Sequence, residues 1–319
     1  MGRALTTFLD IAPLRAVFAG RLRRYRNEPL RTRMAVIARA FTEGYHAALA
    51  EDDLAVLGRR LRDMDREVQG FAAEGVGLGL ALRDVLSLQR QDRFVRFLEG
   101  PGSAQVYMLH VGAGWVLAFR LARSRRWVRR LDPLYQGMAF DGYGFYRAFF
   151  SRRTLDRQHI PGWMAPADRR SFDVGIGRRL WFLDAGLDAV LERLRTFPPG
   201  RQGDLWTGLG EACAFGGGRS RAAAGTLLGA AGPFAASFAQ GIAFSAEVRV
   251  RAGNLTPETE AACQAVWGAP ADEVATVTRG AGGGLAIGEA PLEAWRRRLQ
   301  ESYAARRPPL PAGALPAAP

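Results

Sequence analysis

The stretch FDGYGFYRAFF, Phe140 to Phe150, sets two glycines and an aspartate inside an aromatic run that otherwise reads as a buried helix. Glycine in a helix interior costs about 1 kcal/mol relative to alanine. Two of them call for a compensating gain, and close approach of a neighbouring backbone supplies one, because glycine has no Cβ to hold that backbone away. The same arrangement recurs along the chain in FTEGYHAALA, FAAEGVGLGLAL, YMLHVGAGWVLAF, FDVGIGRRLWFL, LWTGLGEACAF and FAQGIAFSAEVRV. The lead glycines are Gly44, Gly75, Gly112, Gly142, Gly175, Gly208 and Gly241, separated by 31, 37, 30, 33, 33 and 33 residues. Self-similarity near this period is the sequence mark of stacked helical hairpins.

The segments between the glycine stretches agree with that reading. DDLAVLGRRLRDMDREVQG, SLQRQDRFVRFLEGPGSA and LDAVLERLRTFPPGRQ are polar-faced helices, the last stopped by Pro198-Pro199. Each unit pairs an outer amphipathic helix with an apolar inner helix that carries the small-residue motif. Strand-like runs such as EVRVRAG are few, and no GxGxxG occurs, so a dinucleotide-binding α/β fold has no fingerprint. The expectation is an all-α protein of tandem helical-hairpin repeats, with a period of about 33 residues, forming a solenoid or a closed α/α array. The expected organisation is an arginine-rich N-terminal helical segment over 1–40, a helical-repeat domain over 41–303, and a disordered Pro/Ala-rich tail over 304–319.

Composition narrows the function. An apolar fraction of 48% suits a globular chain long enough to bury a sizeable core. The formal charge of +13 comes from 44 basic residues that are all arginine. They form short runs spread over the chain, which suits solvated helix faces better than a nucleic-acid face, where charge clusters on a known module. Having no lysine, the chain has no Schiff-base lysine and no phosphate-loop lysine. Three histidines and two distant cysteines, Cys213 and Cys263, leave little for zinc or a redox dithiol, so no metal site and no cofactor are expected. Arginines interleave with the apolar residues at the start, unlike a secretory signal. Thr226 to Ala246 lacks charge for long enough to span a bilayer, but Gly232-Pro233 at its middle reads as a break between two short buried helices. A cytoplasmic protein is expected, with the basic helix Leu14 to Arg33 able to rest on an anionic membrane surface.

Polar residues precede the lead glycines. Glu43, Glu74, His110, Asp141, Asp173 and Gln240 each lie within two positions of one. On apolar helices such groups must be paired, neutralised or placed at a cavity. Asp141 and Asp173 read as residues entering their helices, where an acid suits the N-terminus. Repetition would align the set into a stripe facing one polar-lined cavity, with His46, Tyr143, Tyr146, Arg178, Trp206 and Arg249 as nearby partners. Arg178 lies where it could pair with Asp173 along one helix face. Asp141 and Asp173 are the candidate general acid–base pair with His110 as third catalytic group, and the rest are ligand-binding candidates. In RAGNLTPETEAAC, Thr256 reads as a cap and Pro257 as the first helical residue.

The motifs FTEGYHAAL, VYMLHVGAGW, LDPLYQGMAFDGYGF, FDVGIGRRLWF, GDLWTGLG and RVRAGNLTPETE resemble the UnbL-type enediyne biosynthesis proteins over about Phe41 to Tyr303. The resemblance implies a role in bacterial secondary metabolism. There, members accompany an iterative polyketide synthase that makes a linear polyene, a polytopic UnbU-type membrane protein and an UnbV-type partner. It supplies no reaction and no catalytic residues. A long apolar polyene needs an aromatic, water-poor cavity, which agrees with the residues. The leading expectation is therefore a protein that binds such an intermediate, with no nucleic-acid partner, and helps mature it into the core. The alternatives are a non-catalytic helical scaffold for the pathway enzymes and a terpene-cyclase-like enzyme with buried acids.

Overall fold

The computed structural model describes residues 18–23, 25–89, 91–285 and 291–306, and among them every regular element is a helix. Helix α1 spans Glu28–Ala50, α2 Leu54–Arg62, α3 Gln69–Leu86, α4 Arg93–Leu98 and α5 Val106–Gly114. Helix α6 spans Ser124–Val128, α7 Pro133–Phe150, α8 Arg152–Asp156, α9 Pro166–Trp181 and α10 Leu187–Arg195. The remainder are α11 Pro199–Gly216, α12 Ala223–Ala231, α13 Ala235–Arg251, α14 Pro257–Trp267, α15 Ala271–Ala281 and α16 Pro291–Arg306.

Local chemistry sets the helix starts. Asn27, Asp53 and Asp132 cap α1, α2 and α7 by accepting the backbone N–H of Leu30, Ala55 and Leu134 at 3.1, 2.7 and 2.8 Å. Thr256 caps α14 ahead of Pro257, as its sequence predicts. Asp141 and Asp173 do not enter their helices. Helix α7 begins eight residues earlier, behind the Asp132 cap, and α9 begins at Pro166, so both acids lie mid-helix. The proline and the true cap decide the start, not the acid beside the glycine.

Each of the seven lead glycines sits on a different helix of the series α1, α3, α5, α7, α9, α11 and α13, and these helices pack against one another in chain order. The glycines explain the packing. A Cβ on Gly112, Gly142, Gly175 or Gly208 would lie 1.8 to 2.0 Å from the carbonyl oxygen of Glu74, Val111, Asp141 or Val174 on the preceding helix. The second glycine of the motif faces the other way. A Cβ on Gly114, Gly144 or Gly177 would lie 1.7 to 2.1 Å from the carbonyl oxygen of Ala139, Phe172 or Leu205 on the following helix. One glycine therefore seats the helix behind and the other the helix ahead, and the closeness of the backbones offsets the propensity lost.

Helix α16 then crosses back over α13, α15 and α7. The fully buried Arg249 joins α13 to the turn before α3, donating to the carbonyls of Arg66 and Glu67 at 3.3 and 3.2 Å. Arg33 of α1 likewise donates Nε to Gly216 O at the end of α11, 2.7 Å away. These bonds join parts of the chain 182 to 183 residues apart.

The apolar run Thr226 to Ala246 divides as its sequence predicts, into α12 and α13 around a short 3-10 turn at Gly232–Phe234. By length and hydropathy Ala223–Arg251 would pass for a membrane span, and half of its most apolar window is buried inside the protein. Helix α1 runs without interruption through residue 40, the expected domain boundary. Part of the expected basic helix, 14–17 and 24, lies outside the described residues, as does 307–319 of the expected tail; residues 304–306 close α16.

Candidate functional site

Seven helices present side chains to one cavity: α3, α5, α7, α9, α11, α13 and α16. It holds about 710 Å³ of atom-free space, mouth included, of which the centre of a water molecule can reach about 70 Å³. The space is narrow. Its wall is mostly apolar, with Phe71, Tyr107, Phe182, Phe215 and Phe244 giving it an aromatic character and Met108, Val111, Met138 and Leu292 filling between them. Into this wall project Asp141, Arg178, Glu211 and Arg296.

Arg178 organises the polar group. Its Nη1 donates to Asp141 Oδ2 at 3.1 Å and its Nη2 to Glu74 Oε1 at 2.8 Å, so one guanidinium from α9 joins carboxylates from α7 and α3. Both acids are almost wholly buried. Asp141 Oδ1 has no hydrogen-bond partner among the described residues. Glu211, one helix further on, keeps part of its surface open to the cavity, and no hydrogen bond or ion pair engages its carboxylate among the described residues. Arg296 also faces the cavity, but its Nη1 is committed to Glu293 at 2.9 Å.

The electrostatics follow from this count. Three carboxylates, Glu74, Asp141 and Glu211, share one locally uncommitted guanidinium. Burial raises the carboxyl pKa of Glu74 and Asp141 above the ordinary range, with Arg178 acting against it. Glu211 is pushed up to about 8, by burial first and then by the charge of Asp141, against the pull of Arg178 and Arg296. Arg178 itself is held more firmly protonated than a free guanidinium, because the charges of Asp141 and Glu74 outweigh its desolvation. The cluster therefore holds protons more tightly than free carboxyls do, with Glu211 facing the aromatic cavity and Asp141 Oδ1 without a hydrogen-bond partner among the described residues.

The family described as protein of unknown function (DUF1702) matches residues 2–303. The chain belongs to the DUF1702 family. No curated protein and no solved structure matches it.

The DUF1702 chain distributes the other expected site residues differently. Asp173 is not the partner of Arg178; Arg201 Nε donates to its Oδ2 at 2.8 Å while Arg201 Nη1 holds Gln158 O. Five residues separate Asp173 from Arg178, which puts them off a common face, and Arg178 points instead across two helices. His110 packs between Phe94 and Tyr135 with Nδ1 2.7 Å from Val106 O. The carbonyl can only accept, so Nδ1 carries the proton and Nε2 is a bare lone pair without a partner among the described residues. Burial lowers this imidazole to about 4, against the bond to Val106, so it is neutral at physiological pH. Neither Asp173 nor His110 lines the cavity.

Glu43 is exposed on α1, 3.8 Å from Arg39, and the half-buried His46 packs beside Tyr45. Tyr143 accepts from Arg147 at 3.2 Å between Trp163 and Phe172, and Tyr146 rests on Trp115 and Phe150. Trp206 packs on Phe238, and Gln240 Oε1 accepts from Gln300 at 2.6 Å. Arg249 stands behind the wall, its guanidinium 3.7 Å from the centre of the Phe215 ring that lines the cavity. The expected single stripe is thus divided. Glu74, Asp141 and Arg178 come together; His110 and Asp173, two residues before their glycines and not one, and Glu43 and Gln240, on the first and last helices of the series, lie apart.

Proposed function

We propose that this protein binds an elongated, apolar, unsaturated molecule in the aromatic cavity and serves as acid and base in its conversion. One observation carries the reading: a mostly apolar cavity in which no hydrogen bond or ion pair engages Glu211 among the described residues, while Arg178 is shared by Asp141 and Glu74. Burying an unpaired carboxyl is costly and adds nothing to packing, whereas a carboxyl poised near neutrality is suited to moving protons. In this reading Glu211 donates the proton that it retains, and Asp141, oriented by Arg178, accepts one at its free Oδ1. Glu74 fixes the far side of Arg178. The space that the centre of a water molecule can reach, about 70 Å³, lies below the roughly 300–1,000 Å³ of small-molecule pockets, so a ligand must part the aromatic side chains as it enters. A flat conjugated chain suits its narrow shape.

The motifs shared with UnbL-type proteins support placing the reaction in enediyne-type polyketide biosynthesis, after the synthase that makes the linear polyene. The packing in chain order and the return of α16 support reading the helices as a closed array of hairpin units around the ligand. The test is extraction of the protein purified from a polyene-producing host, followed by mass and visible-absorption spectra. A stoichiometric conjugated chain lost in Phe215→Asp is the expected result. Protein that emerges empty from such a host, and takes up no polyene when mixed with it, defeats the reading.

A further inference from the structure

Between Glu99 and Asp132 the chain has no acidic residue, while FRLARSRRWVRRL, Phe119 to Leu131, carries six arginines. Three of the six have a charged or aromatic partner. Arg125 lies 4.2 Å from the centre of the Trp163 ring, Arg129 pairs with Asp168, and Arg130 reaches Asp92 at 3.5 Å. Arg120, Arg123 and Arg126 are exposed and make no ion pair among the described residues. The acids that approach this face are already engaged: Asp84 accepts the backbone N–H groups of Arg93 and Phe94 at 3.0 and 3.1 Å, and Asp92 faces Arg130.

Apolar side chains stand among these charges. Arg123 Nη1 donates to Ser87 O at 2.8 Å, which fastens the entry of α6 to the loop that follows α3. The next residue in that loop, Leu88, is 86% exposed, and Phe119, at the head of the arginine run, is 42% exposed. Leu88, Arg123, Arg126 and Arg130 border one surface concavity.

We propose that this face docks onto an anionic phospholipid bilayer, with Arg123 and Arg126, and Arg120 beside them in the chain, at the phosphates and Leu88, at the rim of the concavity, inserted among the acyl chains. The uncompensated positive charge complements the surface of such a bilayer. The exposed leucine distinguishes the partner from a nucleic acid, since it gains nothing from a sugar–phosphate backbone, and the aromatic that borders the concavity, Trp127, is already packed edge-on against Phe94. Arginine stems cover apolar surface while their heads stay at the interface, which suits a mixed patch of this kind.

The test is co-sedimentation of the full chain with vesicles of phosphatidylcholine alone and of phosphatidylcholine with phosphatidylglycerol at roughly seven to three, at about 0.1 M and about 0.5 M salt. The anionic vesicles should bind, the neutral ones should not, and the higher salt should weaken binding. Arg120→Gln with Arg126→Gln should lower partitioning by about tenfold or more. Leu88→Ser should lower it severalfold at both salt concentrations alike. Unchanged circular dichroism shows that these exposed substitutions leave the fold intact. Equal binding to both vesicle types, no binding to either, or wild-type binding by the double variant overturns the proposal. Binding of a single-stranded RNA oligomer without vesicle binding would assign the patch to nucleic acid instead.

Discussion

Arg178 reaches from α9 past α7 to α3, placing Nη2 2.8 Å from Glu74 Oε1, on a helix that precedes its own by three members of the series. The same guanidinium holds Asp141, so its removal strands two buried carboxylates at once. Breaking a buried pair costs about 3–5 kcal/mol, mostly as the penalty for the charge left behind. Arg178→Met should therefore lose about that much in urea unfolding. Adding Glu74→Gln and Asp141→Asn should restore most of it, because the charges that needed Arg178 are gone. A triple variant no more stable than Arg178→Met would show that the guanidinium acts through packing alone.

The retained proton predicts a pH dependence of stability. The Glu211 carboxyl is raised to about 8, above its value in the unfolded chain, so the native state binds the extra proton between roughly pH 4.5 and 8. Stability must fall as pH rises through that window and level off above it. Glu211→Gln removes the titration. It should be more stable than wild type by roughly 2–5 kcal/mol near pH 8.5 and closely similar near pH 4.5, at about 1.4 kcal/mol per pH unit with allowance for solvent reaching the cavity. Denaturant midpoints across pH 4.5 to about 9 measure this. A difference that stays constant over the window means that Glu211 ionises normally.

The glycines offer a paired test of close approach. A Cβ on Gly142 would meet Val111 O at 1.9 Å, whereas one on Gly229, within α12, meets nothing within 4 Å. Gly142→Ala should destabilise by about 1–3 kcal/mol, because the helices must separate. Gly229→Ala should stabilise by about 0.5–1 kcal/mol through helix propensity alone. Thermal unfolding of the two variants reads opposite signs. Gains in both would remove the backbone contact as the reason for glycine.

The helical class was legible in the sequence because the glycine spacing and the outer amphipathic segments report it locally. Half of the site was legible for the same reason: Glu74, Asp141 and Arg178 all sit in glycine motifs. Glu211 was missed because attention to the residues before each lead glycine overlooks those after it. Positions one before and three after a lead glycine are one helical turn apart and share a face. Val111 and Asp141 occupy the first place, Arg178, Glu211 and Phe244 the second, and all five line the cavity. That register was available from the sequence. Arg296 was not, since it arrives from α16, outside the series, and only tertiary packing brings it there.

The same geometry separates chemistry from scaffolding. Asp141→Asn and Glu211→Gln keep the shape of the cavity but remove the proposed base and acid, so on that proposal a folded protein should lose pathway product while an upstream polyene accumulates in the producing strain. Asp173→Asn, whose carboxylate meets Arg201 away from the cavity, should cost stability and leave product formation in place. If the protein instead only holds other enzymes together, the order reverses: Arg59→Glu with Arg62→Glu, on the exposed side of α2, abolishes product and the cavity carboxamides are silent. Metabolite profiles of these strains, beside denaturation curves of the purified variants, distinguish the two. The decisive comparison is Glu211→Gln at neutral pH. There the amide mimics the protonated acid in shape and charge, so the variant folds at least as well as wild type, and only a need for the proton itself can make it inactive.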